Sequence, residues 1–417
     1  MRNVFLFVIF LFSAKAYTQS VMTDYPEFFK VTISNPLAVS RENVLVLVSS
    51  QQLSKSFKKF NPHAFVVMDG EKEIPAQYNQ NDSDASGIVF VLDELGASQT
   101  RQLSVRFHPS GNKPRTYPKR TQAELSYKKG GEWKNREYIG GAFQNTQFLR
   151  VPPEHKDHSW FIRYEGPGWE SDKVGYRFYL DQRNATDVFG KVTREMVLQQ
   201  VGQDGFDSYH EMQPWGMDVM KVGKSLGIGS IGSFVNGEAI RVEKTDSVNC
   251  RILENGNVYS SILTDYYGWK VSDNKHEVRS RLTIHAGTRA TQQTLTVTNN
   301  IENVATGIVK DKAAVLIKKN GDGQHFGYIA TYGKQSLNAD NLGLALFFSP
   351  NDLIEITEDT NSHVVKLKPS QGKCTYYFLS AWEKEPDGIK DQKEFENYLE
   401  TVAQELSSPV KVVISKK

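Results

Sequence analysis

Two stretches concentrate side chains able to move protons and hold a sugar. Arg163 to Asp187 packs three arginines, three tyrosines, one tryptophan and five acids into twenty-five residues. Tyr209 to Gly223 joins His210, Glu211, Trp215, Asp218 and Lys221 in a loop shaped by Pro214 and Gly216. A neutral sugar ring stacks its apolar face on Trp or Tyr while its hydroxyls meet Asp, Asn, Arg or Lys. A uronate also needs a donor for its carboxylate, ideally the planar fork of Arg. If the reaction is elimination across C4 and C5 of a uronate, a base removes the C5 hydrogen and an acid protonates the group leaving C4. On these types His210 is the base or acid, with Tyr164 or Tyr209 as its proton partner, and Arg163, Arg177 or Arg183 clamps the carboxylate. Trp169, Trp215, Asp218 and Lys221 complete the expected substrate contacts. A further cluster, Asp265 to Trp269 with His276, Arg279 and Arg281, offers either a second cleft wall or a hairpin packed on its sheet.

The elements that must carry these residues read as β-strands. Between Phe28 and His108, the runs Asn43 to Val48, Ala64 to Met68, Gly87 to Leu92 and Leu103 to Phe107 are spaced like a small antiparallel sandwich. Pro114 and Pro118, among Lys113, Arg115, Lys119 and Arg120, mark a linker, which puts a first domain at 17–112 and a larger one at 113–417. In the larger domain Arg241 to Ile252, Asn257 to Leu263, Arg279 to His285 and Arg289 to Val297 read as long strands of a large antiparallel sandwich. Phe395, Tyr398, Leu399, Val402, Ala403 and Leu406 recur at spacings of three and four, which predicts a C-terminal helix covering the sheet. The expected fold class is therefore mainly β.

Other motifs fail on context. Gly227-Ile228-Gly229-Ser230-Ile231-Gly232 matches the dinucleotide fingerprint in letters, but it leads into another strand instead of a helix. Gly223-Lys224-Ser225 resembles the end of a phosphate loop, yet Asp218 stands where the required glycine would be. His155 and His158 lack a third ligand by spacing, and Asn320 to Gly323 lacks the glutamate of a helical calcium loop. No cofactor and no metal are expected.

The chain has 50 Lys and Arg against 48 Asp and Glu, a formal charge of +2 that excludes a strongly basic nucleic-acid binder. Residues 1–16 read as a signal peptide: Arg2, an apolar run from Val4 to Phe12, and an Ala14-Lys15-Ala16 cleavage site. Its removal takes away Arg2 and Lys15 and no acid, leaving the mature chain formally neutral. The apolar run is too short to span a bilayer, so export to the periplasm, or secretion, is expected without membrane insertion. Cys250 and Cys374 are the only thiols, and an exported setting leaves open either one bridge or two buried thiols.

Trp169-Glu170-Ser171 to Tyr176-Arg177, Asp181 to Arg183, Asp187 to Lys191, and Trp215-Gly216-Met217-Asp218 through Lys221 to Gly227 carry a resemblance. The chain resembles an exported Bacteroidetes family catalogued as a domain of unknown function, over nearly all of its mature length. That resemblance implies a sandwich akin to those of sugar mutarotases and polysaccharide lyases. It also implies work on uronate polymers such as pectin or ulvan, including dehydration of a terminal uronate. The leading expectation is thus a carbohydrate lyase acting on a uronate-containing oligosaccharide. Its rivals are a glycoside hydrolase using Glu170 and Asp218, and a non-catalytic binder stacking sugar on Trp169, Trp215 and Trp269.

Overall fold

The computed structural model describes residues 20–206, 208–298 and 300–416, so the stretch 1–16 read as a signal peptide lies outside the described residues. Strands dominate, in two compact units.

The first unit is a small β-sandwich. Its five-stranded sheet runs in the order Lys411–Ser415, Glu27–Ser34, Thr100–Phe107, Phe65–Asp69, Lys72–Ile74, and its three-stranded sheet in the order Arg41–Ser49, Gly87–Leu95, Ala76–Asn79. Alternation along Glu27–Ser34 sends Phe29, Val31 and Ile33 into a core shared with Val46, Val48, Phe90 and Val105. The sequence reading gave everything from 113 onward to the larger domain. The structure divides the chain between Lys119 and Arg120, and residues from Ser408 on belong to the first unit. The physical reason is sheet completion: Lys411–Ser415 pairs antiparallel with Glu27–Ser34, while Val410, Val412 and Ile414 pack against the first core.

The second unit is the large antiparallel sandwich. Nine strands run in the order Phe148–Arg150, Ser247–Asn255, Tyr259–Val271, Asn274–His285, Ala290–Val297, Lys373–Trp382, Leu342–Phe348, Gly327–Gly333, Ala314–Lys319. Two five-stranded sheets share their core with it, for Tyr176 and Val188 of one and Ile308 and Val365 of the other join Ile262 and Leu282 in one cluster. The helix Gln392–Ser407 buries Phe395, Leu399, Val402 and Ala403 against Tyr332, Phe347 and their neighbours on the nine-stranded sheet.

One expected strand divides. The polar run Glu243 to Asp246 interrupts Arg241 to Ile252, so Glu238–Arg241 belongs to a five-stranded sheet and Ser247–Asn255 to the nine-stranded one. The two thiols are both free and buried, and burial pushes each up to about 12. Three strands separate theirs, a span of about 19 Å at the usual strand spacing, beyond any disulfide. Among the described residues no helix is long and apolar enough to cross a membrane.

The closing strand supplies a stability test. Val412 is half-buried on the first core, whereas Val413 is 60% exposed. Val412→Asp is expected to cost the first unit about 2 kcal/mol and Val413→Asp less than about 0.5 kcal/mol, read by urea unfolding.

Candidate active site

The second five-stranded sheet runs in the order Gly216–Asp218, Thr186–Lys191, Val174–Phe178, Gly168–Ser171, Thr121–Glu124. Its register sets Arg177 directly opposite Asp187, and Phe189 opposite Asp218, so one cation and two carboxylates gather on one face of three adjacent strands. Arg177 Nη2 donates to Asp187 Oδ2 at 2.8 Å and to Asp218 Oδ2 at 2.6 Å. Nη1 donates to the Tyr209 hydroxyl at 2.9 Å, and the rings of Tyr179, Phe189 and Tyr209 lie about the guanidinium. Tyr179 donates to the same Asp187 oxygen at 2.5 Å. All of these side chains are buried.

One guanidinium cannot fully offset two buried acids. Burial first, and the charge of Asp187 second, raise the Asp218 carboxyl well above its ordinary range, so the pair retains a proton. Burial pushes the Tyr209 hydroxyl up to about 12. At the edge of this cluster stands His210, on the same short turn as Tyr209, with Nε2 3.6 Å from Asp218 Oδ2. Its side chain is 43% exposed, where that of Asp218 is 1% exposed. Partial burial, then the nearby Arg177 charge, lower its pKa from 6.5 and keep the imidazole neutral near pH 7.

Next to the turn that carries His210 opens a cleft of about 610 Å³, lined by parts of Thr193 to Asp204 with Ser208, Tyr209, Gln213, Pro214 and Trp215; Tyr209 lines it and His210 itself does not. Its polar lining is Thr193, Gln200, Gln203, Ser208 and Gln213 with Glu195 and Asp204, and among the described residues no Lys or Arg lines it. The loop forming its wall is tied down from behind. Glu170 accepts from the backbone N–H groups of Val197 and Leu198 at 2.8 and 2.9 Å and from Lys191 Nζ at 2.6 Å, with both side chains fully buried. Gly202 closes the loop at φ +66°, where an added Cβ would meet the Tyr209 ring at 3.3 Å.

The sequence candidates therefore separate. His210, Tyr209, Arg177, Asp218 and Trp215 come together, with Trp215 edge-on to Phe189. The clamp arginines do not face substrate. Arg163 is buried and donates to Glu124 and to the carbonyls of Gln199 and Val201, and Arg183 pairs with Asp157, Glu165 and Asp181. Arg177 is buried in the acid pair described above. Tyr164 is buried with its hydroxyl on Glu124 at 2.6 Å, and its φ of +37° is strained for a non-glycine residue. Trp169 belongs to the core, donating to Thr291 and stacked on Tyr176, and Trp269 is likewise buried, donating to the Arg241 carbonyl. Lys221 lies past the end of its strand on a different cleft. Glu170 is an anchor behind the wall, so it cannot pair with Asp218 across a glycosidic bond. Asp187 was counted in the dense stretch but given no role, and the glutamines escaped sequence reasoning because amide residues on an irregular loop carry no periodic signal.

Asp157, His158 and Glu165 bring ligand atoms within 4.8 Å of one another. Arg183 already occupies that ground, at 2.8 Å from Asp157 and 2.7 Å from Glu165, so the group is a salt-bridge network. His155 is buried, bonded to Ser159 and to the Glu165 carbonyl, and burial lowers its pKa.

Residues 33–412 match a family described as Domain of unknown function (DUF4861). The chain belongs to that family. No curated protein matches it in sequence. Among solved structures it is similar in fold to an alpha-mannosidase from Enterococcus faecalis V583, with a TM-score of 0.50 and 10% identity, over 93% of this chain and 46% of that one. A glycosyl hydrolase family 38 protein from Enterococcus faecalis gives a TM-score of 0.46 and 9% identity, over 93% and 47%. This chain thus spans less than half the length of either.

Two measurements check the site. The His210 ring proton should titrate with a midpoint below 6.5 by NMR, and a midpoint above that value would contradict its environment. Glu170→Ala leaves Lys191 buried without its carboxylate and should cost about 3–5 kcal/mol in denaturant unfolding, whereas Glu195→Ala on the rim should cost less than about 0.5 kcal/mol.

Proposed function

We propose that the protein is a carbohydrate-active enzyme, and that its reaction is elimination across C4 and C5 of a uronic acid residue ending an oligosaccharide. The observation that carries this reading is His210, a neutral, half-exposed imidazole 3.6 Å from a buried carboxyl and next in sequence to Tyr209, which lines the cleft with Trp215. Trp215 takes the apolar face of a sugar and the loop amides and acids take its hydroxyls. The imidazole removes the C5 proton, the C–H electron pair becomes the C4–C5 double bond, and the C4–O bond breaks. The imidazolium returns the proton to the departing hydroxyl, which leaves as water. Because the three arginines are engaged elsewhere, the Gln200 amide meets the uronate carboxylate in their place, joined by the second N–H of Gln203 and of Gln213, whose nitrogens each donate once, to the Gln199 and Ser208 carbonyls respectively.

The resemblance drawn from the Trp169 and Trp215 stretches supports a uronate polymer such as ulvan or pectin as the source of substrate, and the leader read at 1–16 supports a reaction outside the cytoplasm. The sugar-processing alpha-mannosidase of similar β architecture supports the substrate class. A second reading, glycoside hydrolysis, is favoured by one observation: Glu195 and Asp204 line the same cleft.

Incubation with ulvan, pectin and alginate fragments separates the readings. Elimination gives the ultraviolet absorbance of a 4,5-unsaturated uronate, and His210→Ala should lower its rate about 10²- to 10⁴-fold. New reducing ends without that absorbance would show a hydrolase, and binding without either product a glycan-binding protein. The acidic rim adds a salt signature. Raising ionic strength should lower KM or leave it unchanged, because screening weakens repulsion between Glu195, Asp204 and the uronate, whereas an exposed arginine clamp would make KM rise.

A further inference from the structure

A second cleft, of about 230 Å³, opens where the chain leaves the Gly216–Asp218 strand. Its charge is opposite to that of the first. Lys221, Lys224 and Lys310 line it against a single acid, Asp311. Lys310 is engaged, donating to the Asp359 carbonyl at 2.6 Å and lying 3.1 Å from Glu358. Lys221 and Lys224 are exposed on a turn closed by the Ser225 N–H to Val222 carbonyl bond, with Gly223 at φ +56° between them. Gln335 forms part of the same lining and is 7% exposed. Its amide nitrogen donates to the Thr331 carbonyl, the Thr331 hydroxyl and the Leu342 carbonyl at 3.2, 3.1 and 2.8 Å, which fixes which way the amide points. Its Oε1 is left as a buried acceptor with no protein partner.

Two lysines call for an anion, and an unmet acceptor calls for a donor. We infer that this cleft is a binding site for the acidic end of a carbohydrate, with the carboxylate on Lys221 and Lys224 and a hydroxyl donated towards Gln335. Its size, below the roughly 300–1,000 Å³ of sites for drug-sized ligands, suits one sugar residue. The site goes beyond the elimination reading and does not depend on it.

Calorimetric titration of the full chain with D-glucuronate, D-glucose and acetate tests the site. Glucuronate should bind more tightly than either of the others, since glucose lacks the charge and acetate lacks the hydroxyls. The double variant Lys221→Ala/Lys224→Ala, altered only at exposed side chains, should weaken glucuronate binding at this site about tenfold or more, and Lys72→Ala, an exposed lysine outside both clefts, should leave it unchanged. The inference is overturned if glucuronate does not bind, if the double variant binds it as the wild type does, if Lys72→Ala weakens binding as much as the double variant, or if acetate binds equally well. Binding without unsaturated product would leave this site standing and remove the elimination reading. Product without this binding would do the reverse.

Discussion

One buried cation shared by two buried acids organises the site. Arg177 lies opposite Asp187 and diagonal to Asp218, and it also holds the Tyr209 hydroxyl. Charges so far from water are tolerated only with partners in place, so strands, tyrosines and turn must adopt one arrangement. The imbalance of two acids for one guanidinium leaves a proton on the pair, and Asp218 is the member that faces His210. A histidine in an open turn would have an ordinary pKa and no fixed neighbour. Here its environment is set by the register of a sheet.

The cleft beside it depends on a second buried pair. Glu170 and Lys191 sit on strands of the same sheet, and Glu170 uses its other oxygen to hold two backbone N–H groups of the loop that walls the cleft. The irregular segment from Thr193 to Asp204 therefore takes its position from the sheet behind it. Charge is divided between the two clefts: the first is lined by acids and amides, the second mainly by lysines. A chain with 50 Lys and Arg against 48 Asp and Glu can still offer local fields of both signs.

Much of the scaffold was legible because strand and helix periodicity survive in sequence. The runs around Val46, Val66, Phe90 and Val105 are strands of the first sandwich, and the helix buries the Phe395, Leu399, Val402 and Ala403 face anticipated for it. The return of Lys411–Ser415 to the first sheet was not legible, since pairing across nearly four hundred residues leaves no local mark. The break after Arg241 was missed for a related reason: polar residues tolerated inside a half-exposed strand look the same as polar residues where a chain changes sheets.

Sequence alone determined which residue types were present and that the segments around Arg177 and His210 were dense in them. Burial and partnership were decided only in three dimensions. Arg163, Arg177 and Arg183 are equivalent letters, yet each is committed to its own acids: Arg163 to Glu124, Arg177 to Asp187 on the next strand and to Asp218, and Arg183 to Asp157, Glu165 and its near neighbour Asp181. Trp169 and Trp215 are likewise indistinguishable in sequence, and only packing puts the first in the core and the second on the cleft. The reason is that a charge or an aromatic ring has no fixed role of its own. Its role follows from whether the fold sets an acid, a sheet or open solvent against it.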